Sequence, residues 1–530
     1  MEAAASNQIY SQAYDRGVST VMTNDTQNLD RLRNRKAPLE LSNQKFRNIG
    51  HQLVDRIADF LEAMPRGPVT PAESPETVRA AFHSDREIPE TGADAGELVN
   101  TAANLLFRHS LFNGHPRFFG YITSSAAPIG AFADLLASAV NPNVGAWKLA
   151  PLATEIEAQT IRWIAEFMGY PSGCGGLLVS GGNMANFVGF LAGRTHVAEW
   201  DLRKTGLTSP SARPMTCYAS KETHTWVQKA ADLFGLGTNA IRWIPVDHRQ
   251  RMDTAALQEQ IRQDREQGYL PFAVIGTAGS VSTGAVDPLK ELAAICRNNN
   301  LWFHVDGAYG GVAASIPGAP EDLIGLSEAN SIAIDPHKWL YAPLEAGCIL
   351  VRDPRDLRNT FSYQPSYYNF DIEAINYFDY GPQNSRAFRA LKVWLALQQV
   401  GSAGYRQMIA DDMRLSRHLR DVLDIHPEFE TFTQNLSITT FRYVPESLRD
   451  GIGTPEGETT LDRLNQELLN RLEKSGEAFL SNAIVDGKYA LRACIVNFRT
   501  SLDDIEALPH LVSRVARELV EEMDVTPISQ

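Results

Sequence analysis

The stretch Ser331-Ile332-Ala333-Ile334-Asp335-Pro336-His337-Lys338-Trp339-Leu340 runs from a short, largely apolar segment straight into an acid, a proline and a lysine. An apolar run of this length, bounded by a turn signal, reads as a buried strand. Pro336 closes it. Lys338 falls just beyond, where an ammonium would lose hydration and lysine is ordinarily avoided. Similar runs recur on both sides: Leu177-Leu178-Val179, Phe272-Ala273-Val274-Ile275, Trp302-Phe303-His304-Val305 and Cys348-Ile349-Leu350-Val351. Helical stretches such as Thr154 to Phe167 and Ala185 to Gly193 lie between several of them. Alternation of this kind predicts an α/β domain with a mainly parallel sheet. Such sheets bind ligands at the carboxyl ends of their strands.

Outside this region the pattern changes. Residues 1–38 are rich in Asn, Ser, Gln, Arg and Asp, and are expected to form a flexible arm. From Ser42, apolar residues recur at helical spacing (Phe46, Ile49, Leu53, Ile57, Phe60, Leu61), and Leu98 to Phe107 reads as a further helix. The block 39–115 looks too small and too amphipathic to stand alone, and is expected to pack against a second subunit. Residues 116–410 form the large domain and 411–530 a smaller one of helices with a few strands. A chain of 530 residues exceeds what one core usually holds. Net charge is −14, which disfavours nucleic acid as a partner. The five cysteines are scattered and form no C-x-x-C pair, which fits reduced thiols in a cytoplasm better than disulfides or a metal site. The start lacks a basic-then-apolar signal pattern, and no apolar run reaches the roughly 20 residues of a membrane helix.

Five segments carry chemistry. Lys338 by itself is more often a surface lysine beside a turn, but its amine can condense with an aldehyde. In His304-Val305-Asp306-Gly307-Ala308-Tyr309-Gly310, Asp306 ends an apolar strand. A carboxylate there could pair with a cofactor's pyridinium nitrogen and keep the ring electron-withdrawing, although Asp is also common in turns. Ala308 is small enough to lie against a ring face. Val179-Ser180-Gly181-Gly182-Asn183-Met184-Ala185-Asn186 reads as strand, small-residue turn and helix, a cup for phosphate. It lacks G-x-G-x-x-G and the Walker lysine, and alone it could be only a tight turn. In Ser220-Lys221-Glu222-Thr223-His224-Thr225-Trp226, His224 could stack on a cofactor ring and hydrogen-bond a substrate carboxylate, whereas a single His is more often structural. Gly276 to Pro288 is a hydroxyl-rich loop in which Asp287 could orient a neighbouring group.

Taken together, these segments resemble the group II pyridoxal-phosphate decarboxylases, which include aromatic-L-amino-acid, tyrosine, histidine and glutamate decarboxylases. The resemblance runs from about His115 to about Val400, and more loosely to Phe498. It is nearest to the aromatic branch, including bacterial tryptophan decarboxylases, through His115-Pro116-Arg117-Phe118-Phe119 and Lys148-Leu149-Ala150-Pro151. It implies a fold-type-I, aspartate-aminotransferase-like architecture. That means a mainly parallel central sheet with helices on both faces, a helical N-terminal segment and a small α+β C-terminal domain. Pyridoxal 5′-phosphate is the implied cofactor, in a homodimer whose sites lie between subunits and whose N-terminal block wraps the partner. By the resemblance, Lys338 is the Schiff-base lysine, Asp306 pairs with the pyridine nitrogen, and His224 and Ala308 sandwich the ring. Gly182 and Asn183 meet the phosphate with help from His337, and Ser280 contributes. A mobile loop, Phe361 to Asn384, completes the site. Counting back from Arg386-Ala387-Phe388-Arg389 places Tyr377 at the proton-donating tyrosine, with Tyr367 as a rival and simple packing as the plainer reading.

The expected reaction is decarboxylation of an L-amino acid, aromatic by the resemblance (tryptophan, tyrosine, phenylalanine or DOPA), to the amine and carbon dioxide. Phe118, Phe119, Trp147 and Trp339, together with Tyr121, could line an aromatic pocket or could equally be core. Gly145 could leave room for an indole. One alternative is an aromatic aldehyde synthase, in whose branch the loop tyrosine is typically phenylalanine. Others are a decarboxylase of a non-aromatic amino acid, an aminotransferase using Arg492 as a carboxylate clamp, and a binding protein on the same fold.

Overall fold

Seven strands form the central sheet, in the order β1-β7-β6-β5-β4-β2-β3. They are β1 (Gly175–Val179), β2 (Met215–Ser220), β3 (Ile241–Ile244), β4 (Leu270–Thr277), β5 (Trp302–Asp306), β6 (Ser331–Ile334) and β7 (Gly347–Val351). Five of them, β6-β5-β4-β2-β3, are mutually parallel, and β7 runs antiparallel between β6 and β1. The sheet is that of an α/β fold, with helices packed around it, in a computed structural model that describes residues 26, 28–35, 37–364 and 374–523. Most of the N-terminal arm, Tyr367 and Tyr368 lie outside the described residues.

β4, β5, β6 and β7 are buried at every position, so they read as continuous apolar runs rather than alternating ones. β2 is buried throughout as well, yet its sequence is Met-Thr-Cys-Tyr-Ala-Ser. Its polar groups are satisfied internally: the Tyr218 hydroxyl donates to Asp264 at 2.7 Å and lies 3.2 Å from Thr216 Oγ1. That is why hydrophobic patterning alone passes over it.

A buried ion pair ties the sheet edge to the chain that crosses it. Glu157, in the helix Pro151–Met168, accepts the Leu178 N–H at 2.8 Å and pairs with Arg386. Arg386 also donates to the carbonyls of Val144 (2.8 Å) and Leu178 (2.6 Å).

A second, antiparallel sheet has the order β10-β11-β9-β8, from β8 (Phe429–Asn435), β9 (Ile438–Tyr443), β10 (Ser481–Val485) and β11 (Lys488–Cys494). It shares a core with the helices Pro455–Ser475 and Leu502–Met523. The first of these helices shows its boundaries in sequence: Thr454 caps the start, Pro455 follows, and Gly476 ends it with φ 71°. The long helix Ala390–Ile425 is broken at Gly401 (φ 68°, ψ 165°).

The chain divides into two compact units: residues up to Glu62 with Ala81–Arg108, and Ala63–Ala80 with His109 onward. In the first unit, Phe60 of the helix Asn43–Ala63 stacks on Phe107 of the helix Ala95–Arg108 with centroids 4.4 Å apart. Arg56 donates to Asn100 and Asn104, and Lys45 pairs with Asp94 at 2.6 Å. Asn43–Ala63 has no buried residue, and Phe46, Val54, Leu98 and Leu106 are exposed. No helix among the described residues is long and apolar enough to cross a membrane.

Replacing Arg386 by Met leaves the Glu157 carboxylate buried without its cation, held only by the Leu178 N–H. The expected loss is about 3–5 kcal/mol of folding stability, read from denaturant midpoints of the two proteins; an unchanged midpoint contradicts this account of the pair.

Candidate active site

The segments singled out in the sequence converge on one cavity at the carboxyl ends of the parallel strands. Gly182, Asn183 and Asn186 reach it from the start of the helix Gly182–Val197, which follows β1. Glu222 and His224 come from the turn after β2, and Thr277, Gly279 and Val281 from the end of β4 and the loop beyond. Asp306, Ala308 and Tyr309 come from the end of β5 and its turn, and Asp335 and Lys338 from the turn after β6. Ile122 completes the lining.

Lys338 enters with its charge answered: Nζ lies 3.1 Å from Asp335 Oδ2. Asp335 is buried, and its other oxygen, Oδ1, has no hydrogen-bond partner. Asp306 is also buried. The Trp226 indole N–H donates to its Oδ2 at 2.7 Å, and the Ala308 N–H to its Oδ1 at 3.2 Å. His224 stands at the mouth, its Nδ1 accepting the Trp226 backbone N–H at 3.3 Å. Desolvation by the surrounding protein pushes its pKa below the ordinary imidazole value, which favours the neutral ring at neutral pH.

Behind the cavity, His304 lies 2.7 Å from Asn186 Oδ1 through Nε2 and 2.8 Å from Ser331 Oγ through Nδ1. Burial lowers its pKa to about 4, so it acts as a neutral strut in which Nε2 donates to Asn186. Asp287 accepts the backbone N–H groups of Met252 (2.7 Å) and Thr277 (2.8 Å), pinning the end of β4, and burial pushes its pKa up to about 6.

Other expected site residues stand elsewhere. Ser280 is buried between two lining residues, but its hydroxyl is 2.9 Å from Thr283 Oγ1 and it does not line the cavity; Thr277 does. His337 turns its Nδ1 to the Ala346 carbonyl at 2.7 Å, with Nε2 3.7 Å from Asp335. None of the four proposed pocket aromatics reaches the cavity. Phe118 stacks on Phe479 (5.4 Å), and Phe119 is buried in the core of the second sheet. Trp339 is fully buried and donates to Asp412 at 2.8 Å, while Trp147 is part-exposed and donates to Glu155 at 2.9 Å. Large aromatics fill cores as readily as they line pockets, and residue type alone could not separate the two. Gly145 answers to packing as well: a Cβ there would lie 2.1 Å from the Asn384 carbonyl oxygen.

Tyr377 is only 2% exposed, with the Arg386 guanidinium 4.6 Å from its ring centroid, and it is not among the residues lining the cavity of its own chain. Tyr367 lies outside the described residues. Arg492 is buried, donates twice to Ser481 Oγ (3.0 and 2.7 Å), and reaches the carbonyl of the lining residue Val281. The sequence reading passed over Trp226, Asn186, Thr277 and Glu222. Only Trp226 left a signal, because a buried indole N–H needs an acceptor.

The arrangement fits an aldehyde-bearing pyridine phosphate. It offers an amine for the aldehyde, a fixed carboxylate for the ring nitrogen, and a helix start for an anion. The helix start fits tightly over the amine's partner, since a Cβ on Gly182 would lie 2.6 Å from Asp335 Oδ2.

Comparison with known proteins identifies the class. Residues 75–444 match the pyridoxal-dependent decarboxylase conserved domain, and the chain belongs to that family. It is 32% identical over 486 residues to an aromatic-L-amino-acid decarboxylase of Bacillus atrophaeus, covering 91% of this chain and 97% of that protein. It is 28% identical over 472 residues to a phenylacetaldehyde synthase of Petunia hybrida, covering 86% and 91%. The crystal structure of Oryza sativa TDC with PLP and tryptamine matches with a TM-score of 0.83 at 26% identity, covering 91% of this chain and 99% of that one. The protein is a pyridoxal-phosphate-dependent amino-acid decarboxylase.

A Gly182→Ala variant forces the new methyl against Asp335. Overpacking of this kind costs about 1–3 kcal/mol, and cofactor affinity is expected to fall with it. Spectroscopic titration with pyridoxal phosphate beside a thermal melt measures both; wild-type affinity and melting would contradict the tight fit.

Proposed function

We propose that this decarboxylase acts on an aromatic L-amino acid and releases the corresponding amine and carbon dioxide. The observation that carries the reading is Lys338 and Asp306 facing one cavity in a chain of this family. The aromatic preference is supported by the name of the Bacillus atrophaeus relative.

When bound, pyridoxal phosphate supplies an electron sink for the bond to the departing carboxylate. Lys338 is the amine that attaches it. Asp306 holds the ring nitrogen protonated, and Trp226 and the Ala308 N–H fix the carboxylate in place. Gly182 and Asn183 at the helix start hold the phosphate, with His337 close behind. His224 covers one ring face, Ala308 the other, and the neutral imidazole donates to the substrate carboxylate, which aligns the bond to be broken. Tyr377 is the proposed proton donor to Cα.

Because Tyr377 is buried in its own chain away from that cavity, this reading needs the segment that carries it to shift on assembly and the site to be completed by a second copy of the chain. Exposed apolar surface supports a homodimer of this kind. Phe132, Leu135, Leu136 and Val140 stand exposed on the helix Pro128–Val140, with Trp147, Leu149 and Leu152 exposed shortly after it. Large apolar side chains exposed in such number on one stretch of chain are what an interaction site requires. The N-terminal helix pair, with its own exposed apolar face, wraps the partner. All five cysteines are free thiols, which supports a cytoplasmic location.

Aldehyde formation is the second reading, favoured by the phenylacetaldehyde synthase among the relatives. A panel of the twenty amino acids with the cofactor-loaded protein, following carbon dioxide, amine, aldehyde and peroxide, separates the readings. The expected outcome is carbon dioxide and amine from aromatic substrates; turnover confined to acidic or aliphatic ones overturns the substrate class. In Tyr377→Phe, amine formation is expected to fall by about 10²-fold or more and aldehyde to appear. A fully active, amine-forming variant removes Tyr377 from the chemistry.

A further inference from the structure

Lys338 is followed by three residues that are each tied down from one helix. Asp412, in the helix Ala390–Ile425 beyond its break at Gly401, accepts two hydrogen bonds on the same oxygen: the Trp339 indole N–H at 2.8 Å and the Tyr341 hydroxyl at 2.6 Å. Between them, the Leu340 carbonyl accepts the Tyr405 hydroxyl of that helix at 3.1 Å. Trp339 lies against Tyr309, a cavity residue, with ring centroids 4.8 Å apart and planes 19° apart.

Asp412 is buried, and the titratable groups around it are Tyr341, Tyr309, Cys494 and the adjacent Asp411, none of them a cation. Burial pushes its pKa up to about 7, and the two donors limit the rise. A buried carboxylate without a cation is a costly way to hold a turn. The folded value lies above the ordinary unfolded value, so the folded chain binds this proton more tightly. Stability therefore falls as pH rises from about 4 toward 7, and the penalty is complete above that. An amide carries no such penalty.

We propose that Asp412 is a positioning residue which, through Trp339 and Tyr341, fixes the backbone after Lys338 so that the amine faces the cavity. The inference rests on Lys338 being the amine that takes the cofactor. It is tested with cofactor-free wild type, Asp412→Asn and Tyr341→Phe, by denaturant midpoints at about pH 5 and pH 8 and by the growth of the visible absorption band after pyridoxal phosphate is added.

Asp412→Asn is expected to gain stability relative to wild type as pH rises between these points. At the higher pH it is nonetheless expected to capture cofactor about tenfold more slowly while fully folded. Tyr341→Phe keeps the carboxylate and loses one tie, and is also expected to slow capture. A purely structural role would make capture follow the folded fraction, and that result overturns the proposal. So does wild-type capture in either folded variant. A wild type that forms no band counts instead against Lys338 as the cofactor amine.

Discussion

An ammonium brought out of water into a protein cavity needs an opposite charge close to it. Lys338 meets that requirement with Asp335 Oδ2 at 3.1 Å. The rest of the site follows from it. Asp335 can sit there because Gly182 leaves room at the start of the neighbouring helix. The same helix start offers N–H groups to an anion. Asp306 faces the cavity from the next strand, held by the Trp226 indole and the Ala308 amide rather than by the lysine. Acid and amine are thus kept as separate functions on one cavity wall.

The sheet makes this possible by geometry. β6, β5, β4 and β2 are parallel neighbours, so their carboxyl ends, and the turns that follow, open on one edge. Deeper supports hold those ends: Asp287 pins the end of β4, His304 braces Asn186, and the Glu157–Arg386 pair ties β1 to the chain around Val144. Each of these groups is polar and buried. The site is therefore held by hydrogen bonds of fixed direction, which suit precise placement better than apolar packing does.

Much of this was legible in the sequence because the chemistry stands directly beyond apolar runs. β6 and Lys338, β5 and Asp306, and β1 with Gly182 are each a strand followed by an unusual residue. β2 was not legible, because its buried Thr216 and Tyr218 are satisfied by partners distant in sequence, notably Asp264. The aromatics Phe118, Phe119, Trp147 and Trp339 suit a pocket or a core equally by type, and type does not say which surface an aromatic covers. Ser280 shows the limit of counting along a loop. Its neighbours Gly279 and Val281 line the cavity, as does Thr277 at the end of the strand, while the Ser280 hydroxyl turns to Thr283. Asp412 lies in a helix far along the chain from Lys338, and no local pattern announces it.

Everything at this site depends on Lys338 as the single amine that binds the cofactor. The most direct measurement is borohydride reduction of the cofactor-loaded protein, followed by proteolysis and mass mapping of the pyridoxyl label. One labelled peptide is expected, the one containing Lys338. Label on a different lysine, or none on a protein that holds the cofactor, would contradict it.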